Sequence, residues 1–200
     1  MMNLAKTRYT AEEYLRLEQT ADVRSEFHDG DIIPMPGGSL NHNRIALRLS
    51  GILDTFLEDR PFDVFMTDVR LWLPAYRLFT YPDMMVIKEP PKFYETRRDT
   101  VTNPVMIAEV LSDSTESYDR GDKFKMYRSI PSLREYLLIS QHGMQVEQFV
   151  KNDEGQWLLS DFEGEETTLQ LRTVALELPL KDLYARVTFE NDGEEILSSD

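Results

Sequence analysis

The stretch that most restricts this chain is VMIAEVL at 105–111, an apolar run broken by one acid, Glu109. A strand with one face in water alternates polar and apolar residues, so a run this apolar reads as a strand covered on both faces. A lone carboxylate in such a place costs several kcal/mol unless something pairs with it. Upstream, YPDMMVI at 81–87 repeats the pattern with Asp83. The fold must therefore supply a partner or a cation to two acids that both belong to strand-like segments.

Around these runs the chain alternates helical and extended signals. Thr10 to Glu13 has the form of a capping box and opens a short helix. Asp29-Gly30 sits between two strand-like runs, a two-residue hairpin signal. Over 39–59 the residues Ile45, Leu49, Ile52, Leu53, Phe56 and Leu57 recur at helical spacing, with Ser39 or Asn41 placed to cap. Strands are predicted over 63–66, 68–73, 79–87 and 105–111, and 88–103, with its adjacent prolines, as an exposed loop. A helix capped by Asp119 runs through Lys123 and Tyr127 to Pro131. A hairpin about His142-Gly143 follows, then strands near 156–162, 168–171 and 174–178 and a short helix over 181–186. The order predicts an α/β or α+β domain, a central mixed β-sheet flanked by helices, with no linker dividing residues 1–200. Residues 151–189 read as a C-terminal β extension and 190–200 as a disordered acidic tail.

Composition narrows the function classes. No cysteine is present, which excludes disulfides, thiolate metal sites and a thiol nucleophile. No run approaches the roughly 18–20 apolar residues of a membrane span, and MMNLAKTRYTAEEY at the start lacks a signal-peptide core, so the cytoplasm is the expected compartment. The net charge is −14, concentrated after residue 152, where thirteen acids face three bases. The remainder is nearly balanced, and no basic stripe of the kind that marks a nucleic-acid partner stands out.

Asp83 and Glu109 are the centre of the chemistry. Two neighbouring carboxylates repel, and one pKa rises unless a cation neutralises them. A hard divalent ion with oxygen ligands resolves this and supports phosphodiester cleavage; the alternative is a pair of structural acids satisfied by Arg or Lys. Lys123 follows the Glu109 strand and shares a helix face with Asp119 and Tyr127, so its ammonium could fold back over the acids or simply pair with Asp119. Glu26, ahead of the hairpin turn, offers a third carboxylate. His42, in the first turn of the long helix, offers a ligand or proton carrier. Arg97 and Arg98 are candidates for a phosphate contact. There is no phosphate-binding glycine loop, no GxSxG and no HExxH.

Taken together, Tyr81-Pro82-Asp83, Glu109-Val110-Leu111-Ser112, Asp119-Arg120 with Lys123, and Tyr127 resemble the PD-(D/E)XK nuclease superfamily, and more narrowly its Uma-type branch of bacterial restriction-endonuclease-like proteins. The similarity covers about 9–150 and includes Glu26 ahead of Asp29-Gly30, Gly38-Ser39 with His42, and Glu135-Tyr136. The resemblance implies a restriction-endonuclease-like core and DNA as substrate. It implies a Mg2+ or Mn2+ ion held by Asp83, Glu109 and the carbonyl of Val110, with Glu26 as an additional acid and Lys123 as the catalytic lysine. The superfamily lysine stands two residues after the glutamate, where this chain has Leu111; in this branch it has moved into the following helix. A homodimer is expected, since cutting both strands of a duplex suits two-fold symmetry. Two rivals remain: a nuclease-fold binding or assembly module without turnover, and an acid/base hydrolase using the carboxylates without metal.

Overall fold

The computed structural model describes residues 8–189 apart from 89 and 114; the expected tail at 190–200 lies outside the described residues. Helix α1 (Ala11–Glu18) opens on the Thr10/Glu13 capping box. Strands β1 (Ser25–His28) and β2 (Asp31–Pro34) turn at Asp29 and Gly30, both at positive φ, as the tight hairpin requires. Helix α2 (Leu40–Leu57), capped by Ser39, buries Ile45, Leu49, Leu53 and Leu57 along one stripe.

Strands β3 (Phe62–Met66), β4 (Arg70–Leu73), β5 (Leu78–Thr80) and β6 (Met84–Lys88) come next. Then follow β7 (Phe93–Tyr94), β8 (Arg97–Val101) and the long β9 (Pro104–Leu111). After β9, α3 (Glu116–Tyr118), a π-helical turn (Asp119–Lys123) and α4 (Phe124–Tyr127) form one helical crossover. It leads into β10 (Glu135–Ser140), β11 (Gln145–Lys151) and β12 (Trp157–Glu163). A hairpin of β13 (Thr168–Leu171) and β14 (Leu176–Pro179) and the short α5 (Leu180–Leu183) complete the described chain.

Among the described residues the central sheet has the order β12-β11-β10-β9-β6-β3. Only β9 and β10 run parallel, joined by the helical crossover such a pair needs, so the sheet is mixed. Alternation along β9 divides the core. Met106, Ala108 and Val110 pack with α2, whereas Ile107 and Leu111 pack with Phe124, Met126 and Tyr127 of α4. Glu109, two residues from each of Ile107 and Leu111, shares the α4 face.

The sheets depart from the sequence expectations in three places. A second six-stranded sheet, β2-β1-β5-β4-β8-β7, accompanies the central one. The expected strand over 79–87 is two strands in different sheets, because Pro82 lacks the N–H a continuous ladder needs. The expected loop over 88–103 holds β7 and β8; β8 pairs with β4, whose residues are distant in sequence, and β7 pairs with β8 at the sheet edge.

Candidate active site

The break at Tyr81-Pro82-Asp83 places the first acid. The last registered pair between β6 and β9 is Met84 with Ala108, and one step further along that antiparallel register Asp83 stands opposite Glu109. The ladder has ended there, and the two side chains replace it. The N–H of Val110 donates to Asp83 Oδ2 at 2.8 Å, and the N–H of Asp83 donates to Glu109 Oε2 at 3.3 Å. The N–H and C=O of one strand residue point the same way, so the carbonyl of Val110 faces the Asp83 side. The carbonyl of Leu111 turns the other way and accepts from Gln141 at 2.9 Å.

The crossover brings Lys123 over Glu109. Its Nζ lies 3.0 Å from Glu109 Oε1, 3.2 Å from Asp119 Oδ1 and 3.9 Å from Glu26 Oε1, and the residue is 7% exposed. Tyr127 donates its hydroxyl to Glu109 Oε1 at 2.7 Å. Asp119, expected as a helix cap, does not cap. The helix starts at Glu116, and Asp119 lies inside the π turn as a buried partner of Lys123. That widened turn is a feature often found at functional sites. Asp119 Oδ1 sits within ion-pair distance of the ammonium yet has no well-directed hydrogen bond.

Glu26 is buried on β1 and accepts from the Thr80 hydroxyl, so it meets Lys123 from the second sheet. His42 reaches Asp83 from α2, with Nε2 3.0 Å from Oδ1. A carboxylate only accepts, so the proton on that contact belongs to His42. Ser39 fixes the helix start beneath His42, accepting from its backbone N–H at 3.0 Å and donating to Gln141, and Gly38 makes room for the ring, where a Cβ would come within 3.0 Å of it. Tyr81 is anchored by its hydroxyl on the buried Glu18, 3.0 Å away. Arg97 and Arg98 are engaged outside this cluster, with Asp99 and over the ring of Phe93.

Three carboxyl groups thus surround one ammonium, with Asp83 beside Glu109, and the electrostatics follow. Burial pushes Glu109 up to about 8; Asp83 and Asp119 add to this, while Lys123 and the Tyr127 hydroxyl oppose it. Burial pulls Lys123 down, but Glu109, Asp119 and Glu26 outweigh it and hold the ammonium well above its usual range. The hydrogen bond to Asp83 raises His42 against the effect of its own burial. Glu109, Lys123 and His42 are thus all raised, each holding its proton in a site with more carboxyl groups than cations.

A cavity of about 90 Å³ lies against Asp83, Glu109, His42, Asp119 and Lys123, room for an ion with a water or two. Among the described residues no three His, Asp or Glu side chains converge as a ready-made metal cluster. The donors on offer are two carboxylates and a main-chain carbonyl. All are hard oxygens, and the set suits an ion such as Mg2+ that keeps much of its water. The excess of carboxyl groups over cations and the ill-directed Asp119 oxygen fit such an ion as well. A wider hollow of about 1040 Å³, between α2 and the segment after α5 and lined by Arg44, Arg48 and Arg186, shares no residue with this cavity.

Of the residues expected at the site, Asp83, Glu109, Lys123, Glu26 and His42 lie together, with the Val110 backbone against Asp83. Asp119 was expected as a helix cap or as a partner of Lys123 in place of the other acids, whereas it pairs with Lys123 alongside them. Sequence reasoning missed Gln141 and Glu18, which act through tertiary contacts that no local pattern announces.

A mixed sheet flanked by helices, with opposed acids where two strands part and a lysine from the following crossover, has the architecture of the restriction-endonuclease-like nuclease fold. A sequence model of the Uma2 family, described as "Putative restriction endonuclease", matches residues 11–181, and the chain belongs to that family. It is 46% identical over 171 residues to the uncharacterized protein sll1609 of Synechocystis sp., covering 85% of this chain and 97% of that one. It is 34% identical over 180 residues to slr1290 of the same organism, also uncharacterized, covering 89% and 92%. The crystal structure of a "putative nuclease belonging to DUF820" from Anabaena variabilis superposes with a TM-score of 0.71 at 19% identity, covering 88% of this chain and 97% of that one, a likeness of fold. Among the described residues no helix is long and apolar enough to cross a membrane.

Proposed function

We propose that this chain is a divalent-cation-dependent endonuclease that hydrolyses phosphodiester bonds in DNA. Asp83, Glu109 and the Val110 carbonyl would hold Mg2+ or Mn2+. The observation that carries this is the opposition of Asp83 and Glu109 one register step beyond the last β6–β9 pair, with Lys123 Nζ 3.0 Å from Glu109. Family membership supports the same reaction class.

Bound there, the cation would polarise a phosphoryl oxygen and make an attacking water more acidic. The chain's own groups do the rest. Lys123 offers an ammonium that stays protonated at neutral pH and offsets charge that builds on the phosphoryl group. Glu26 and Asp119 orient Lys123, and Tyr127 fixes one oxygen of Glu109. His42 fixes one oxygen of Asp83 and leaves the Val110 N–H to fix the other. Cutting both strands of a duplex calls for two copies, so a homodimer belongs to the same proposal.

Supercoiled plasmid incubated with the protein and Mg2+ or Mn2+ should be nicked and then linearised. EDTA or Asp83→Asn should abolish this. Plasmid left intact with both metals, or cut equally well by Asp83→Asn, overturns the proposal.

A second reading is a nuclease-fold binding or assembly module. Leu111 at the usual lysine position and the saturation of Lys123 by three carboxylates favour it. Calorimetry separates the two: Mn2+ binding that vanishes in Glu109→Gln supports the nuclease, and no Mn2+ binding at all supports the module.

A further inference from the structure

Beside the cavity over Asp83 and Glu109 lies a second one of about 310 Å³, and the two share four residues, among them Met35 and Lys123. Ile33, Pro34 and Met35, from the end of β2 and the segment after it, contribute apolar surface. Tyr118 of α3 contributes an aromatic ring, and the buried Glu26 and Lys123 also line the pocket. Building on the nuclease reading, we propose that this pocket receives a single unpaired nucleobase next to the phosphate being cut. The preferred substrate is then a strand whose base has left its stack or never had one.

Three observations lead there. First, a base and its phosphate are joined through one sugar, so a phosphate held at Asp83 and Glu109 delivers its own nucleoside to an adjoining cavity. The shared Lys123 makes these two cavities adjoin. Second, the lining suits a base and not a phosphate. It is apolar and aromatic, it carries the acid Glu26, and its volume sits at the lower end of small-molecule pockets, about 300 Å³. Flipped and single-stranded bases are held by such apolar and aromatic surfaces.

Third, the charge balance leaves little else to hold a strand here. Among the residues lining the two cavities the one Lys or Arg is Lys123, and three carboxylates already occupy it. Neighbouring Arg120 is paired with Glu116 and Glu147. Release of counterions from phosphates, the usual source of affinity for duplex DNA, is therefore weak at this site, and contact with a base takes its place. Ile33, 46% exposed on the edge strand of its sheet, is the apolar side chain such a base would meet first.

The test uses oligonucleotides carrying 2-aminopurine, either fully paired or unpaired at one nucleotide, with no divalent cation so that nothing is cut. The full-length protein should bind the unpaired form about tenfold more tightly and change the probe's fluorescence at that nucleotide only. Ile33→Trp, which fills the pocket from the edge strand, should erase the preference while Mn2+ binding by calorimetry stays unchanged. Tyr118→Leu, which keeps the apolar volume but removes the ring, should weaken the preference too. Equal affinity for paired and unpaired forms, or a preference indifferent to both substitutions, overturns the pocket. Adding Mn2+ to the same strands separates this from the nuclease reading. Equal cleavage of both forms keeps the nuclease and sinks the pocket. Tight, Ile33-dependent binding with no cleavage keeps the pocket and sinks the nuclease. Failure to bind any strand sinks both.

Discussion

Asp83 and Glu109 each hold the other's strand: Glu109 accepts from the N–H of Asp83 at 3.3 Å, and Asp83 accepts from the N–H of Val110, next to Glu109, at 2.8 Å. The carboxylates therefore do structural work and crowd negative charge at the same point. Crowding of this kind is a common reason for active sites to lower the stability of their own fold.

Stability should fall as pH rises in protein without a divalent cation. Glu109 is raised from an ordinary 4.5 to about 8, so it binds its proton more tightly in the folded state. Its contribution is complete below about 4.5 and is lost as the pH climbs through about 8. His42 and Lys123 are raised as well and act with the same sign. Thermal melts should show a lower midpoint at about pH 8.5 than at about pH 5.5, with a smaller drop in Glu109→Gln. Mn2+ should raise the midpoint more at the higher pH, because the carboxylates must be ionised to ligate it. A midpoint independent of pH in the wild type but not in Glu109→Gln would contradict the assignment.

Tyr81→Phe should damage the site with little effect on the fold. The hydroxyl it removes bonds Glu18 at 3.0 Å and anchors the Tyr81-Pro82-Asp83 corner, while the ring remains. Loss of one such bond costs about 1 kcal/mol of stability, read from urea denaturation. Outer contacts that aim a metal ligand typically matter more, so Mn2+ affinity by calorimetry should drop about tenfold or more.

The two acids were easier to pick out in the sequence than the second sheet was. Asp83 and Glu109 could be found because each breaks an apolar run, and a polar residue in such a run is a signal that needs no partner to be seen. Thr10 and Glu13 were equally legible, since a capping box is complete within four residues. The second sheet was not. The pairing of β4 with β8 and of β1 with β5 joins residues far apart in the chain, and short strands such as β7 carry no period of their own. Asp119 was misread for a related reason. An acid at the apparent start of a helix looks like a cap until the strand beneath it is known to carry Glu109.

Glu135 makes a second prediction of fold stability. It is fully buried on β10, and its carboxylate accepts from the backbone N–H groups of Arg172 and Thr173 at 3.1 and 2.7 Å and from the Gln148 side chain at 2.5 Å. Those two N–H groups lie in the turn between β13 and β14, so one side chain ties that hairpin to the central sheet. Glu135→Ala leaves the donors without an acceptor and should cost roughly 3 kcal/mol or more in urea denaturation. Glu135→Gln, which keeps one acceptor oxygen, should cost less. Protection of the β13–β14 amides in hydrogen exchange should fall in both variants before that of β9 and β10, because the hairpin is what comes loose.

Lys123→Met separates the structural part of the lysine from its chemical part. Removing one member of a buried ion pair leaves the other uncompensated, typically at about 3–5 kcal/mol, and here Glu109, Asp119 and Glu26 lose the same partner. The loss should be pH-dependent in a defined direction. At about pH 5 Glu109 is protonated and the substitution is tolerated, whereas near pH 8.5 its carboxyl is pressed to ionise beside Asp83 and Asp119 without the ammonium, and the variant melts well below the wild type. A divalent cation should recover part of that gap, because it neutralises the carboxylates the lysine has left. Plasmid nicking should remain low even at a pH and Mn2+ concentration where the variant is fully folded by circular dichroism, since the ion restores charge balance but not a donor at the Lys123 position. If nicking returns to the wild-type rate under those conditions, the ammonium acts only in folding, and the donor that serves the phosphate must come from another residue.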